Sequence, residues 1–97
     1  MKTKITNRKI ADFLKSKLYG DEHQIVSLSS FPNKKKNSIS FLKELKQEIN
    51  KISEQSTIIT IEENLKYFKN KNCAIIISSN PKYDFARTFA KFFEEKK

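Results

Sequence analysis

At 97 residues and 37% hydrophobic content, the chain can enclose one core and not two, because a chain of this size buries roughly two thirds of its unfolded surface. Its formal charge of +9 comes from 20 basic against 11 acidic residues, and every basic residue but Arg8 and Arg87 is lysine, a hydrated point charge better suited to a solvated surface than to bidentate phosphate or base contacts. A single cysteine, Cys73, excludes a disulfide framework and a multi-cysteine zinc site, and no apolar run approaches the roughly 20 residues of a spanning helix.

In chain order, the basic stretch Met1 to Arg8 lacks the apolar run and cleavage site of a secretory signal, so a cytoplasmic setting is expected. Asn7 to Leu18 reads as an amphipathic helix, with Ile10, Phe13, Leu14 and Leu18 on one stripe. Thr6 or Asn7 can cap its start, and Gly20 stands where a left-handed residue is wanted after its end. Gln24 to Phe31 alternates as a short strand that Pro32 stops. A polar loop from Asn33 to Asn37 carries Lys34, Lys35 and Lys36, and Ser38 to Leu42 follows as a second strand.

Lys43 to Ile52 turns helical through Leu45, Ile49 and Ile52, and the β-branched run Thr57 to Ile61 is a strand. Glu62 to Phe68 is a short helix with acidic residues at its positive end. Cys73 to Ser78, with three consecutive isoleucines, has the pattern of a strand buried on both faces. Pro81 to Glu95 is the longest helix, capped by Asn80, with Phe85, Thr88, Phe89, Phe92 and Phe93 on its inner side and Phe93 available for an interface. The fold expected is α/β, a single small domain with a mostly parallel or mixed sheet of about four strands flanked by helices.

Catalytic chemistry is sparse. The sole histidine, His23, sits in a turn beside Asp21 and Glu22 and reads as a turn residue, because a general base needs a partner and a pocket. No metal-ligand spacing occurs, and a chain with one glycine cannot build a glycine-rich phosphate loop, so neither a metal nor a cofactor is expected. Cys73 opens a buried strand and reads as small apolar packing. Lys34 to Lys36 reads as a solvated loop tip, since a lysine run without arginine or interleaved aromatics is a weak nucleic-acid signal. Two places stand out. Asn80 and Pro81 begin a helix after a strand, where free N–H groups attract anions, and Phe41 near the end of a short strand can offer a ring to a flat ligand. Taken alone, both read as cap and core.

The order of these pieces resembles the non-repeat N-terminal domain of UDP-3-O-(3-hydroxyacyl)glucosamine N-acyltransferases of lipid A biosynthesis. Ile10-Ala11-Asp12-Phe13-Leu14 with Leu18-Tyr19-Gly20-Asp21 looks like the family's opening helix and its L-x-G-D turn. Ile25 to Ser30 resembles the strand that follows, and Ser38-Ile39-Ser40-Phe41-Leu42 resembles its I-S/T-F-L strand. Ala74-Ile75-Ile76-Ile77, then Asn80-Pro81 and Ala86-Arg87, is similar to its closing pattern. No one piece is specific; the weight lies in their shared order from about Ile5 to Phe93.

The resemblance implies a module that binds the uridine end of a UDP-sugar, with Phe41 packing on uracil. In the family, a separate trimeric β-helix of hexapeptide repeats carries the catalytic histidine and takes the acyl chain from acyl carrier protein. Nothing after Phe93 supplies such repeats, so the expectation is a recognition module without catalysis of its own, pairing with a separate acyltransferase subunit. The sequence also departs from the family. Where the family continues with Asn-Pro-x-Tyr, this chain has Glu44-Leu45-Lys46-Gln47, which removes the amide and the second ring and leaves Lys46 as the residue able to attract phosphate. Glu44 and Gln47 favour an alternative, an interaction domain that has kept the fold and lost the nucleotide. A basic nucleic-acid binder ranks last.

Overall fold

The computed structural model describes residues 5–29, 36–43, 55–68 and 73–93. The expected helix over Lys43 to Ile52 lies outside them from residue 44 onward. So do Phe31, Pro32, Lys34, Lys35 and the end of the final helix from residue 94.

The elements run in the order α1 (Asn7–Leu14), β1 (Leu18–Tyr19), β2 (Ser27–Leu28), β3 (Ser38–Leu42), β4 (Ser56–Thr60), a 3-10 helix (Glu62–Phe68), β5 (Cys73–Ile77), and α2 (Pro81–Thr88), which widens into a π-helical turn (Phe89–Phe93). The chain is α/β, as its alternating pattern implied. Five strands form one mixed sheet in the order β1-β5-β4-β3-β2, with β2 to β5 parallel and β1 antiparallel at the β5 edge.

Register explains the core. Phe41, Ile59, Ile76 and Leu18 stand in one cross-strand row, and Leu28, Ile39, Thr57 and Ala74 in the next. These rows face the helices: Ile39, Ile59 and Ile76 pack with Ile10, Ala11 and Leu14 of α1, and Phe41, Phe85, Phe92 and Phe93 close over that cluster. On the opposite face Ile58 and Ile75 pack with Phe68, Cys73, Leu42 and Leu65. The continuous isoleucine run of β5 is thus explained by burial on both sides.

The first helix is shorter than its apolar stripe suggested. Thr6 caps it, its hydroxyl accepting from the Lys9 N–H at 3.2 Å. At the other end Lys15, five residues before Gly20, is the left-handed residue that closes the helix, at φ 57°. The Lys15 N–H reaches the Asp12 carbonyl at 3.2 Å and the Ser16 N–H reaches the Ala11 carbonyl at 2.9 Å, which is a Schellman closure. Leu18 and Tyr19 then pair with Ile76 and Ile75, and the Ile77 N–H finds the Lys17 carbonyl at 3.1 Å. A fourth-residue apolar spacing cannot tell one more helical turn from a strand. The open edge of β5, which needs backbone partners, decides for the strand.

Gly20 has a different task from the one expected of it. At φ 97° it passes so near β5 that an added Cβ would meet the Cys73 carbonyl oxygen at 3.0 Å and Ala74 Cα at 3.1 Å. Both the backbone conformation and the close approach require glycine. Of the strand expected from Gln24 to Phe31, whose last two residues lie outside the described ones, Ser27–Leu28 pairs as a strand, with an isolated antiparallel bridge between Thr6 and Gln24 before it. Phe89 is also corrected. It is exposed rather than inward-facing, while Phe93, at the far end of the wider turn, packs against the core.

Asn7 joins these parts. Its side chain, fully buried, donates to the Asp21 carbonyl at 3.0 Å and to Thr57 Oγ1 at 3.2 Å, and accepts from the His23 N–H at 3.0 Å. Its own N–H donates to the His23 carbonyl at 3.0 Å.

Two stability predictions follow from these contacts. Asn7→Ala strands the Asp21 carbonyl and the His23 N–H and cuts the tie to Thr57 of β4, and costs about 2–4 kcal/mol in urea unfolding. Gly20→Ala is expected to cost about 1–3 kcal/mol by the same measurement, since neither β5 nor the turn can yield; an unchanged midpoint would contradict the close approach.

Candidate functional site

Parallel α/β sheets present ligand sites beyond the carboxyl ends of their strands, where loops are free to vary. Here that end gathers Phe41 to Lys43, Thr60 to Asn64, and Ile77 to Asp84. The parallel strands run in unbroken spatial sequence from β2 to β5, so no reversal of strand order opens a crevice between neighbouring strands. Among the described residues, what this end offers a ligand is therefore side chains and short turns.

Phe41 occupies the fourth position of β3 on the helix-facing side and is half-buried. Its ring rests against Phe85 of α2, centroids 5.0 Å apart and planes tilted by 48°. It is thus neither sealed in the core nor a free platform; it is one member of an aromatic pair at the rim. Lys46, the other expected ligand residue, lies outside the described residues, as do Glu44 and Gln47.

The backbone just after Phe41 is held by a polar clamp that sequence reading did not single out. The Thr60 hydroxyl donates to the Leu42 carbonyl at 2.6 Å. Asn64, buried in the 3-10 helix, donates to Thr60 Oγ1 at 2.9 Å and to the Lys43 carbonyl at 3.2 Å. A threonine closing a strand and an asparagine two residues into a helix carry no pattern of their own; only the pairing of β3 with β4 brings them together.

The start of α2 is internally satisfied. Asn80 Oδ1 accepts from the Tyr83 N–H at 3.4 Å, and the Asp84 N–H bonds the Asn80 carbonyl at 3.0 Å. Asp84 accepts from the Ser78 hydroxyl at 2.6 Å and from Arg87 at 3.2 Å, and Ser78 Oγ takes the Asn80 N–H at 3.0 Å. The Asp84 carboxylate already occupies the favourable field of the helix terminus, so Asn80 and Pro81 serve as a cap here and not as an open anion site.

Arg87 instead binds the helices together. Its guanidinium lies 5.1 Å from the Phe13 ring centroid and 5.7 Å from that of Tyr83, while Phe92 meets Phe13 edge-on at 5.6 Å. His23 contributes its backbone to Asn7, and Cys73 is buried at the start of β5. Among the described residues no group of three or more His, Cys, Asp or Glu converges as a metal site, and no helix is long and apolar enough to cross a membrane.

No protein-family model matches the chain, and no curated protein is significantly similar to it. The class of protein is accordingly defined by its architecture: a small α/β domain with a mixed, mostly parallel sheet between helices.

Replacing Asn64 by Ala leaves the Lys43 carbonyl and Thr60 hydroxyl short of a partner. The expected cost is about 1–2 kcal/mol, with faster amide exchange at Leu42 and Lys43 as the local signature; unchanged exchange there would show that the clamp does not hold the end of β3.

Proposed function

We propose that the chain is a recognition module for a uridine nucleotide, of the kind that precedes the repeat domain in the lipid A pathway N-acyltransferases, working beside a separately folded acyltransferase. The observation that carries the reading is Phe41. It is a half-buried ring at the carboxyl end of a short strand, braced on one side by Phe85, with its following backbone held by Thr60 and Asn64. A ring so fixed loses little freedom when a flat base packs on it, which is how a single aromatic contributes to nucleotide affinity. The five motif pieces, read in order, add support, and the α/β fold agrees with them.

A second reading, a protein-interaction domain that no longer binds nucleotide, draws on two side chains of the last helical segment. Tyr83 is 59% and Phe89 43% exposed, and exposed aromatics are enriched at protein interfaces. Glu44 and Gln47, in place of the family's amide and second ring, point the same way.

The two readings separate in one titration. With UDP-N-acetylglucosamine raised to about 10 mM against isotopically labelled protein, the first expects amide shifts at Phe41, Leu42 and Phe85, and a loss of roughly tenfold or more in affinity for Phe41→Leu, which keeps an apolar side chain but removes the ring. A spectrum that does not move at that concentration discards the nucleotide reading and leaves the second.

A further inference from the structure

The carboxyl ends of β4 and β5 carry a feature that the nucleotide reading does not use. A depression of about 260 Å³ is lined by Lys15, Ser16, Lys17, Tyr19, Glu62 and Ile77. A neighbouring one of about 290 Å³ shares Glu62 and Ile77 with it. Both volumes fall just below the roughly 300–1,000 Å³ of pockets that take drug-sized ligands, a size that suits a smaller molecule.

The charges are arranged by the chain path. The Schellman closure of α1 turns Lys15 to Lys17 toward β5, and β1 fastens them there through the bond from the Ile77 N–H to the Lys17 carbonyl. Glu62 arrives independently, at the first position of the 3-10 helix after β4. Lys15, Lys17 and Glu62, two basic residues and one acidic, therefore line the same hollow from different segments. Among the described residues none of the three is engaged in an ion pair. Opposite charges that share a hollow without closing on each other leave room for a ligand that answers both. The half-buried Ile77 and the ring of Tyr19 supply the apolar part of its wall.

We infer that this hollow binds a free amino acid as its zwitterion, the α-carboxylate against Lys15 and Lys17, the α-ammonium against Glu62, and an aliphatic side chain over Ile77 and Tyr19. A simple anion would meet the Glu62 carboxylate, and a simple cation would meet two lysines. A zwitterion of opposite polarity at its two ends satisfies all three groups. The site lies at β5 and β1, across β4 from Phe41, and stands or falls independently of uridine binding.

The test uses the intact chain, isotopically labelled, and three probes: L-leucine, L-leucinamide, which lacks the carboxylate, and N-acetyl-L-leucine, which lacks the ammonium. Leucine is expected to shift the amides of Ser16, Lys17, Tyr19, Glu62 and Ile77 with a Kd of about 1–10 mM, and each derivative to bind roughly tenfold more weakly or worse. Glu62→Gln weakens leucine binding by about tenfold and lowers the unfolding midpoint only slightly, through the charge lost at the positive end of the 3-10 helix. Lys15→Gly is the sharper variant. It relieves a left-handed lysine and so raises the midpoint while it lowers affinity, a combination that general damage to the fold cannot produce. Silence at about 50 mM leucine, or equal shifts from all three probes, overturns the assignment.

Discussion

A single buried amide carries much of this fold. Asn7 is the first residue of α1, yet its side chain turns inward and bonds the 21–23 turn on one side and the central strand β4 on the other. Each of those partners would be costly to bury alone, and together they satisfy both ends of one amide. Because the contacts span 14 to 50 residues of sequence, Asn7 fixes where α1 begins, how the turn approaches it and which row of β4 lies beneath. Hydrophobic burial would hold a helix on the sheet in several positions; a directional bond to Thr57 selects one.

With α1 set, the remaining placements follow. The Schellman turn after Leu14 sends the chain to the free edge of β5, and Gly20 lets it pass close beneath that strand. On the other side α2 packs over β3 and β4, with Phe85 against Phe41 and Arg87 between Phe13 and Tyr83. Two tethers of different chemistry thus hold the helical layer, a buried amide under α1 and an aromatic-cation contact between α1 and α2. The second is partly solvated and worth less, of the order of 0.5–1 kcal/mol for each ring.

The carboxyl end of the sheet inherits its character from this layout. On the helix-facing side it presents an aromatic pair, Phe41 with Phe85, above a backbone clamped by Thr60 and Asn64. At the β5 and β1 edge it presents a small hollow with charges of both signs. A base would use the first and a small zwitterion the second, and the intervening strand β4 keeps them about 10 Å apart by strand spacing.

Much of the fold was legible from residue pattern alone. The α/β class, the strands at Ser38–Leu42, Thr57 onward and Cys73–Ile77, the short helix from Glu62, the Thr6 cap and the Asn80 cap each rest on local physics: β-branching, period, and side chains that satisfy the first backbone donors. Phe41 could be singled out in the same way, as an aromatic near the end of a short strand. What tertiary structure alone decided were the features made by distant partners. The edge of β5 turned Leu18 from helix to strand, the packing of β5 gave Gly20 its purpose, and Phe89, expected inward, came to lie exposed. The three bonds of Asn7, the clamp of Asn64 and the meeting of Lys15, Lys17 and Glu62 belong with these. A sequence states which groups a residue carries; which of them are buried together depends on chain segments that meet only when the sheet has formed.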